Sequence, residues 1–135
     1  VYKRQVGKYI FRKRKFRMET ERYIVNFYSV GDKQFGITDV KKLWIAAALV
    51  EEAGCGVFIN GVIESMELIC DTIDRCGMDS IGVRIIATRN PVLCRDREVY
   101  YHAFRKIVLD VKKKLGNPYV TISMLNTNYF YFDSI

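Results

Sequence analysis

The run Arg22–Val30 (RYIVNFYSV) is dense in β-branched and aromatic side chains and predicts a strand. Gly31-Asp32-Lys33 and Gly36 then mark a loop. From Asp39 to Ala53 the pattern changes: Val40, Leu43, Trp44, Ala47 and Val50 recur at helical spacing, with Thr38 placed to cap the start and Gly54 to stop the run. Gly56–Ile59 reads as a short apolar strand, Asn60-Gly61 as a hairpin turn, and Val62–Glu64 as a brief return strand. A second helix is predicted from Ser65 to about Cys76. It sets Met66, Ile69, Ile73 and Cys76 on one face and Glu64, Glu67, Asp71 and Asp74 on another, with Gly77 ending it. Ser80–Thr88 (SIGVRIIAT) predicts a strand, and Asn90-Pro91 marks the loop after it. Asp96 caps a third helix, along which Val99, Ala103, Phe104, Ile107, Val108, Val111 and Leu115 follow the helical period up to the stop Gly116-Asn117-Pro118. Tyr119–Leu125 predicts an extra strand, and the aromatic tail Tyr129–Phe132 either pairs or covers surface.

The predicted order is β-α-β-(β)-α-β-α, an α+β open-faced sandwich with a mainly antiparallel sheet and helices on one face. Trp44, Phe104 and one of the pair Ile85/Ile86 are its expected core. At 135 residues, half of them hydrophobic, the chain is sized for one domain, expected over residues 18–116, with 117–135 as an extension.

Charge changes this picture little. The formal net charge is +7, but residues 1–17 hold eight basic side chains and no acid, so residues 18–135 carry net −1. That leader is expected to lie outside the domain. Val1–Gln5 resembles a translated sequencing-adapter end, and Met18 stands where a natural start would fit. No apolar run reaches the roughly 20 residues of a membrane span, and no signal segment is evident, so a cytoplasmic protein without a membrane partner is expected. Cys55, Cys70, Cys76 and Cys94 lack zinc-site spacing and read as reduced thiols.

Candidate chemistry is sparse. The only histidine, His102, falls within the third helix without a nucleophile beside it, and no phosphate-binding glycine loop or nucleophile elbow is present. The carboxylates of the second helix read as a solvated face. These absences weigh against a classical enzyme, and neither a cofactor nor a metal is expected.

With this element order, residues 22–116 resemble the histidine-containing phosphocarrier HPr of the bacterial sugar phosphotransferase system. The loop Lys33-Gln34-Phe35-Gly36-Ile37-Thr38-Asp39-Val40 stands where that family has its active loop, and Glu64-Ser65-Met66-Glu67-Leu68 stands where it has its second motif. The resemblance carries the phosphoacceptor histidine onto Thr38 and the oxyanion-binding arginine onto Val40, neither of which supports phosphotransfer. Ser65 matches the serine that regulatory kinases modify in some relatives, although Glu64 and Glu67 flank it with like charge. Thr38 and Ser65 also read simply as helix N-caps. The resemblance implies a non-catalytic domain that acts by contact with a protein partner in a regulatory role.

Residues 22–88 also resemble the Alba-type nucleic-acid-binding proteins. In that alternative Arg105–Val111 is a strand, and Arg89, Arg95 and Arg97 form a loop that grips DNA or RNA phosphates. A helix at Val99–Leu115 favours the HPr-like arrangement and a strand favours the Alba-like one. A parallel sheet with Tyr119–Leu125 inside it marks a third arrangement belonging to neither family.

Overall fold

A computed structural model of the chain describes residues 18–31, 34–69, 81–130 and 132. Among these the order is β1 (Met18–Ser29), α1 (Ile37–Cys55), β2 (Val62–Glu67), β3 (Ile81–Thr88), α2 (Arg97–Lys114) and β4 (Tyr119–Tyr129). The four strands form one antiparallel sheet in the order β2-β3-β1-β4. The fold class is α+β with an open, antiparallel sheet, as the sequence pattern indicated, and two of the three predicted helices stand among the described residues.

Alternation along β1 explains which face is covered. Tyr23, Val25 and Phe27 are buried, while Ile24, Asn26 and Tyr28 between them are only partly covered. On β3, Val83, Ile85 and Ala87 are likewise buried and Ile86 is half-buried, so Ile85 is the member of its pair that enters the core. Phe104, Ile107, Val108 and Val111 of α2 and Val40, Trp44, Ala47 and Ala48 of α1 complete that core.

The ends of the helices are set by local chemistry. Asp39 reaches back to accept the Gly36 N–H at 2.9 Å, so α1 starts at Ile37 and Thr38 lies inside its first turn rather than capping it. At the other end Gly56, not Gly54, takes the left-handed conformation (φ 81°) and donates to the Glu52 carbonyl at 2.8 Å. Val50, expected on the apolar face, is exposed, because the buried stripe runs through Val40, Trp44, Ala47 and Ala48. Asp96 does cap α2, accepting the Glu98 and Val99 amides at 2.9 and 3.2 Å. Gly116 and Asn117, with φ of 88° and 61°, stop it as expected.

Three predicted elements change. Ser65–Glu67 belongs to a strand rather than the start of a helix: Val62–Glu67 pairs residue by residue with Ile81–Ile86, which satisfies its backbone groups across the sheet. The remainder of that predicted helix, 70–76, lies outside the described residues. Gly56–Ile59 forms a connection rather than a strand, and Asn60-Gly61 leads into β2 instead of turning a hairpin. Tyr119–Tyr129 is a full edge strand along β1, antiparallel to it, which removes the parallel third arrangement. Arg105–Val111 lies within α2, so the strand that the Alba-like reading requires is absent. The terminal strand β4 is the extra strand expected at Tyr119–Leu125, carried on to Tyr129. Among the described residues no helix is long and apolar enough to cross a membrane.

Candidate active site

Where β3 ends, the chain turns through residues 89–96 into α2, and this turn is tied together by Arg89. Its Nε and Nη2 donate to the two carboxylate oxygens of Glu21 at 2.7 and 3.1 Å, and its Nη1 donates to the carbonyls of Cys94 and Arg95 at 2.9 and 3.4 Å. Both side chains are buried. The hydrogen bonds from Arg89 hold the Glu21 carboxyl below the usual carboxylate range, more than burial raises it. In the same turn Asn90 Oδ1 accepts the amides of Val92 and Leu93 at 3.0 and 3.4 Å, which closes the turn from within.

Beside this turn a cleft of about 460 Å³ opens between the first turns of α2 and the strands β1 and β4. Tyr23, Arg97, Glu98, Tyr101, Ile122, Ser123 and Met124 line it. The Tyr23 ring lies 5.8 Å from that of Tyr101 and 4.9 Å from that of Phe104, within the range of aromatic packing. Burial raises the Tyr23 hydroxyl above its ordinary pKa, so it stays protonated through the neutral range. Aromatic rings, a thioether, one carboxylate and one guanidinium therefore share a single cleft. Such a set suits a small molecule that combines an aromatic ring with both signs of charge.

Two other hollows are chemically plainer. One of about 210 Å³ lies among Trp44, Ile45, Phe58, Ile63 and Ile85, and another of about 360 Å³ lies among Phe35, Asp39, Lys42, Leu43 and Lys114. The first is small and mostly apolar, whereas the second has a single aromatic ring in its wall.

The residues singled out in the sequence are scattered. Thr38 is exposed in the first turn of α1, Val40 is fully buried, and Ser65 is exposed on β2 opposite Val83. None of them lines the cleft, and no loop is built from them. Arg89 is buried and turned toward Glu21 and the turn carbonyls, so it is not presented to a nucleic-acid phosphate. Arg95 and Arg97 are exposed, and only Arg97 lines the cleft. His102 is exposed on α2. Cys55 is exposed at the end of α1, and Cys94 is buried with its thiol pKa pushed up by burial, which makes it a poor nucleophile. Cys70 and Cys76 lie outside the described residues. Sequence reasoning passed over Tyr23, Glu98, Tyr101 and Met124, because each reads locally as an ordinary strand or helix residue and their convergence is tertiary.

Fold and cleft together define an α+β open-sheet protein with a cleft of aromatic, charged and thioether side chains beside the start of α2. The family model of SAM lyase matches residues 18–133, and the chain belongs to that family. This overturns both the HPr-like and the Alba-like resemblance, and with them the phosphotransferase-system and non-catalytic readings. Among solved structures, a phage SAM lyase in complex with S-methyl-5'-thioadenosine is similar to this chain. Its TM-score is 0.57 at 8% identity, covering 82% of this chain and 89% of that one, a likeness of fold. A de novo designed protein, Foldit4, matches with a TM-score of 0.47 at 15% identity over 80% of this chain and 97% of that one. Among curated proteins none matches the chain in sequence.

Proposed function

We propose that this protein cleaves S-adenosylmethionine as a lyase and releases S-methyl-5'-thioadenosine. The observation that carries the reading is the match of the SAM lyase family over residues 18–133. The chemistry of the substrate explains why no familiar catalytic motif is needed. A sulfonium makes its neighbouring carbon electrophilic, and its leaving group is a neutral thioether that needs no proton. When the bond between sulfur and the side-chain γ carbon breaks, sulfur keeps the electron pair. In the same displacement a carboxylate oxygen of the four-carbon portion forms its bond to the γ carbon, closing a lactone without water. Nucleophile, electrophile and leaving group all belong to one molecule, so the protein's work is to fold the substrate into a reactive shape and keep water out.

Residues of the cleft suit those tasks. Tyr101 offers a face for the adenine ring or the sulfonium, and the buried Tyr23 ring packs against it from the core side. Positive charge on sulfur disappears in the reaction, so a carboxylate held against it would stabilise the substrate more than the transition state. Glu98 is therefore assigned to the substrate ammonium, leaving sulfur against rings and the Met124 thioether. Arg97 is assigned to orient the substrate carboxylate.

Incubating the purified protein with S-adenosylmethionine in oxygen-18 water, followed by mass spectrometry, tests the reading. Formation of S-methyl-5'-thioadenosine with an unlabelled lactone is the expected result. Homoserine labelled at its hydroxyl oxygen would mean that water attacks the γ carbon, and the lyase reading would fall.

A further inference from the structure

We infer that Arg89 is a positioning residue for the cleft, holding the start of α2 against β1 so that Arg97, Glu98 and Tyr101 meet Tyr23 at a fixed geometry. The inference rests on the proposed site and goes beyond it, since Arg89 lines no part of the cleft.

The case begins with how completely Arg89 is held. Its amide donates to the Glu21 carbonyl at 3.1 Å, and its own carbonyl accepts the Thr20 hydroxyl at 2.6 Å, so the backbone is pinned to β1 at both atoms. The planar guanidinium then divides its work. One edge meets Glu21, a strand neighbour of Tyr23 on the same covered face, and Nη1 reaches the carbonyls of Cys94 and Arg95. Asp96, the cap of α2, follows immediately. One side chain therefore joins the strand that carries one wall of the cleft to the turn that sets the other. A lysine cannot reproduce this, because a single ammonium cannot meet a carboxylate as a fork and reach two carbonyls beyond it. Neither Glu21 nor Arg89 lines the cleft, so the pair acts on substrate through the residues it positions rather than by contact.

The test compares wild type with Arg89→Lys, which keeps a buried positive charge beside Glu21, and with Val111→Ala, a core truncation near the far end of α2. Steady-state kinetics at a temperature where all three are folded should show KM for S-adenosylmethionine raised at least tenfold in Arg89→Lys, with kcat changed far less. Val111→Ala should keep both constants near wild type while lowering the melting temperature. Kinetic constants in Arg89→Lys equal to those of wild type would overturn the inference, since a merely stabilising pair shifts only the melting temperature. Hydrogen exchange at the Glu98 and Val99 amides supplies a readout independent of turnover. Exchange in Arg89→Lys should be at least tenfold faster than in Val111→Ala, and equal rates would overturn the clamp even if the wild type proved unable to cleave S-adenosylmethionine. An inactive wild type with faster exchange in Arg89→Lys would remove the proposed function and keep the clamp.

Discussion

The indole Nε1 of Trp44 donates to the carbonyl of Ile59 at 3.2 Å, and both residues are buried. This bond fastens the middle of α1 to the connection that feeds β2, and the indole also meets Phe104 edge-on with ring centroids 5.8 Å apart. Trp44→Ala should lower stability by about 3–5 kcal/mol through lost burial and the cavity left behind. Trp44→Phe keeps much of the packing and orphans the carbonyl, which should cost about 1–3 kcal/mol. Urea unfolding of both variants checks the pair, and a Trp44→Phe protein as stable as wild type would show that the bond contributes nothing.

Gly82 is required by close approach rather than by a turn. A Cβ there would run into the Met66 side chain and stand 3.0 Å from the Phe27 carbonyl oxygen. Met66 can swing away, but the strand backbone cannot. Gly82→Ala should therefore destabilise the protein by about 1–3 kcal/mol, read as a lowered urea midpoint with unchanged slope.

Acid and alkali should act through different buried groups. Glu21 is held low by its hydrogen bonds from Arg89, so its contribution to stability is present above the ordinary carboxylate pKa of about 4.3 and is lost as pH falls through the depressed value. Melting temperature should fall steeply below about pH 4 in wild type. Glu21→Gln should remove much of that slope while being less stable at neutral pH, because Arg89 then lacks its counter-charge. Tyr100 and Tyr23 are both raised, chiefly by burial, and their stabilisation is intact below about pH 10 and declines as pH climbs beyond it. Tyr100→Phe should blunt the alkaline loss. Its hydroxyl is buried without a hydrogen-bond partner among the described residues, so the neutral-pH cost should be small.

Substrate contacts separate binding from rate. Tyr101→Ala removes a stacking face worth about 1–3 kcal/mol, so binding of S-methyl-5'-thioadenosine, measured by calorimetry, should weaken by about 5- to 150-fold. Glu98→Gln should raise KM for S-adenosylmethionine about tenfold and leave binding of the product nearly unchanged, because the product carries no ammonium. Product binding weakened as much as substrate binding would remove Glu98 from the ammonium.

Sequence patterning captured those parts of the protein that local chemistry governs. Period-two burial in β1, the helical stripe of α2 with its Asp96 cap, the Gly116-Asn117 stop and the strand beginning at Tyr119 were all legible, because each depends on neighbours a few residues away. Ser65–Glu67 was misread because the six residues VIESME repeat their apolar and acidic positions every three residues, a spacing closer to a helix than to the period of two of a strand. The partner that decided it, β3, is distant in the chain. The cleft was illegible for the same reason on a larger scale. Tyr23, Tyr101 and Met124 come from three elements, and the pair Glu21–Arg89 that aligns them spans 68 residues. The lack of a catalytic motif pointed to a non-catalytic domain, a reading that the SAM lyase family match overturns; in the proposed reaction the substrate brings its own nucleophile and leaving group, so no such motif is required. Local propensity therefore determined which segments are strands and helices. Long-range pairing and burial decided which side chains face one another, and so where chemistry is placed.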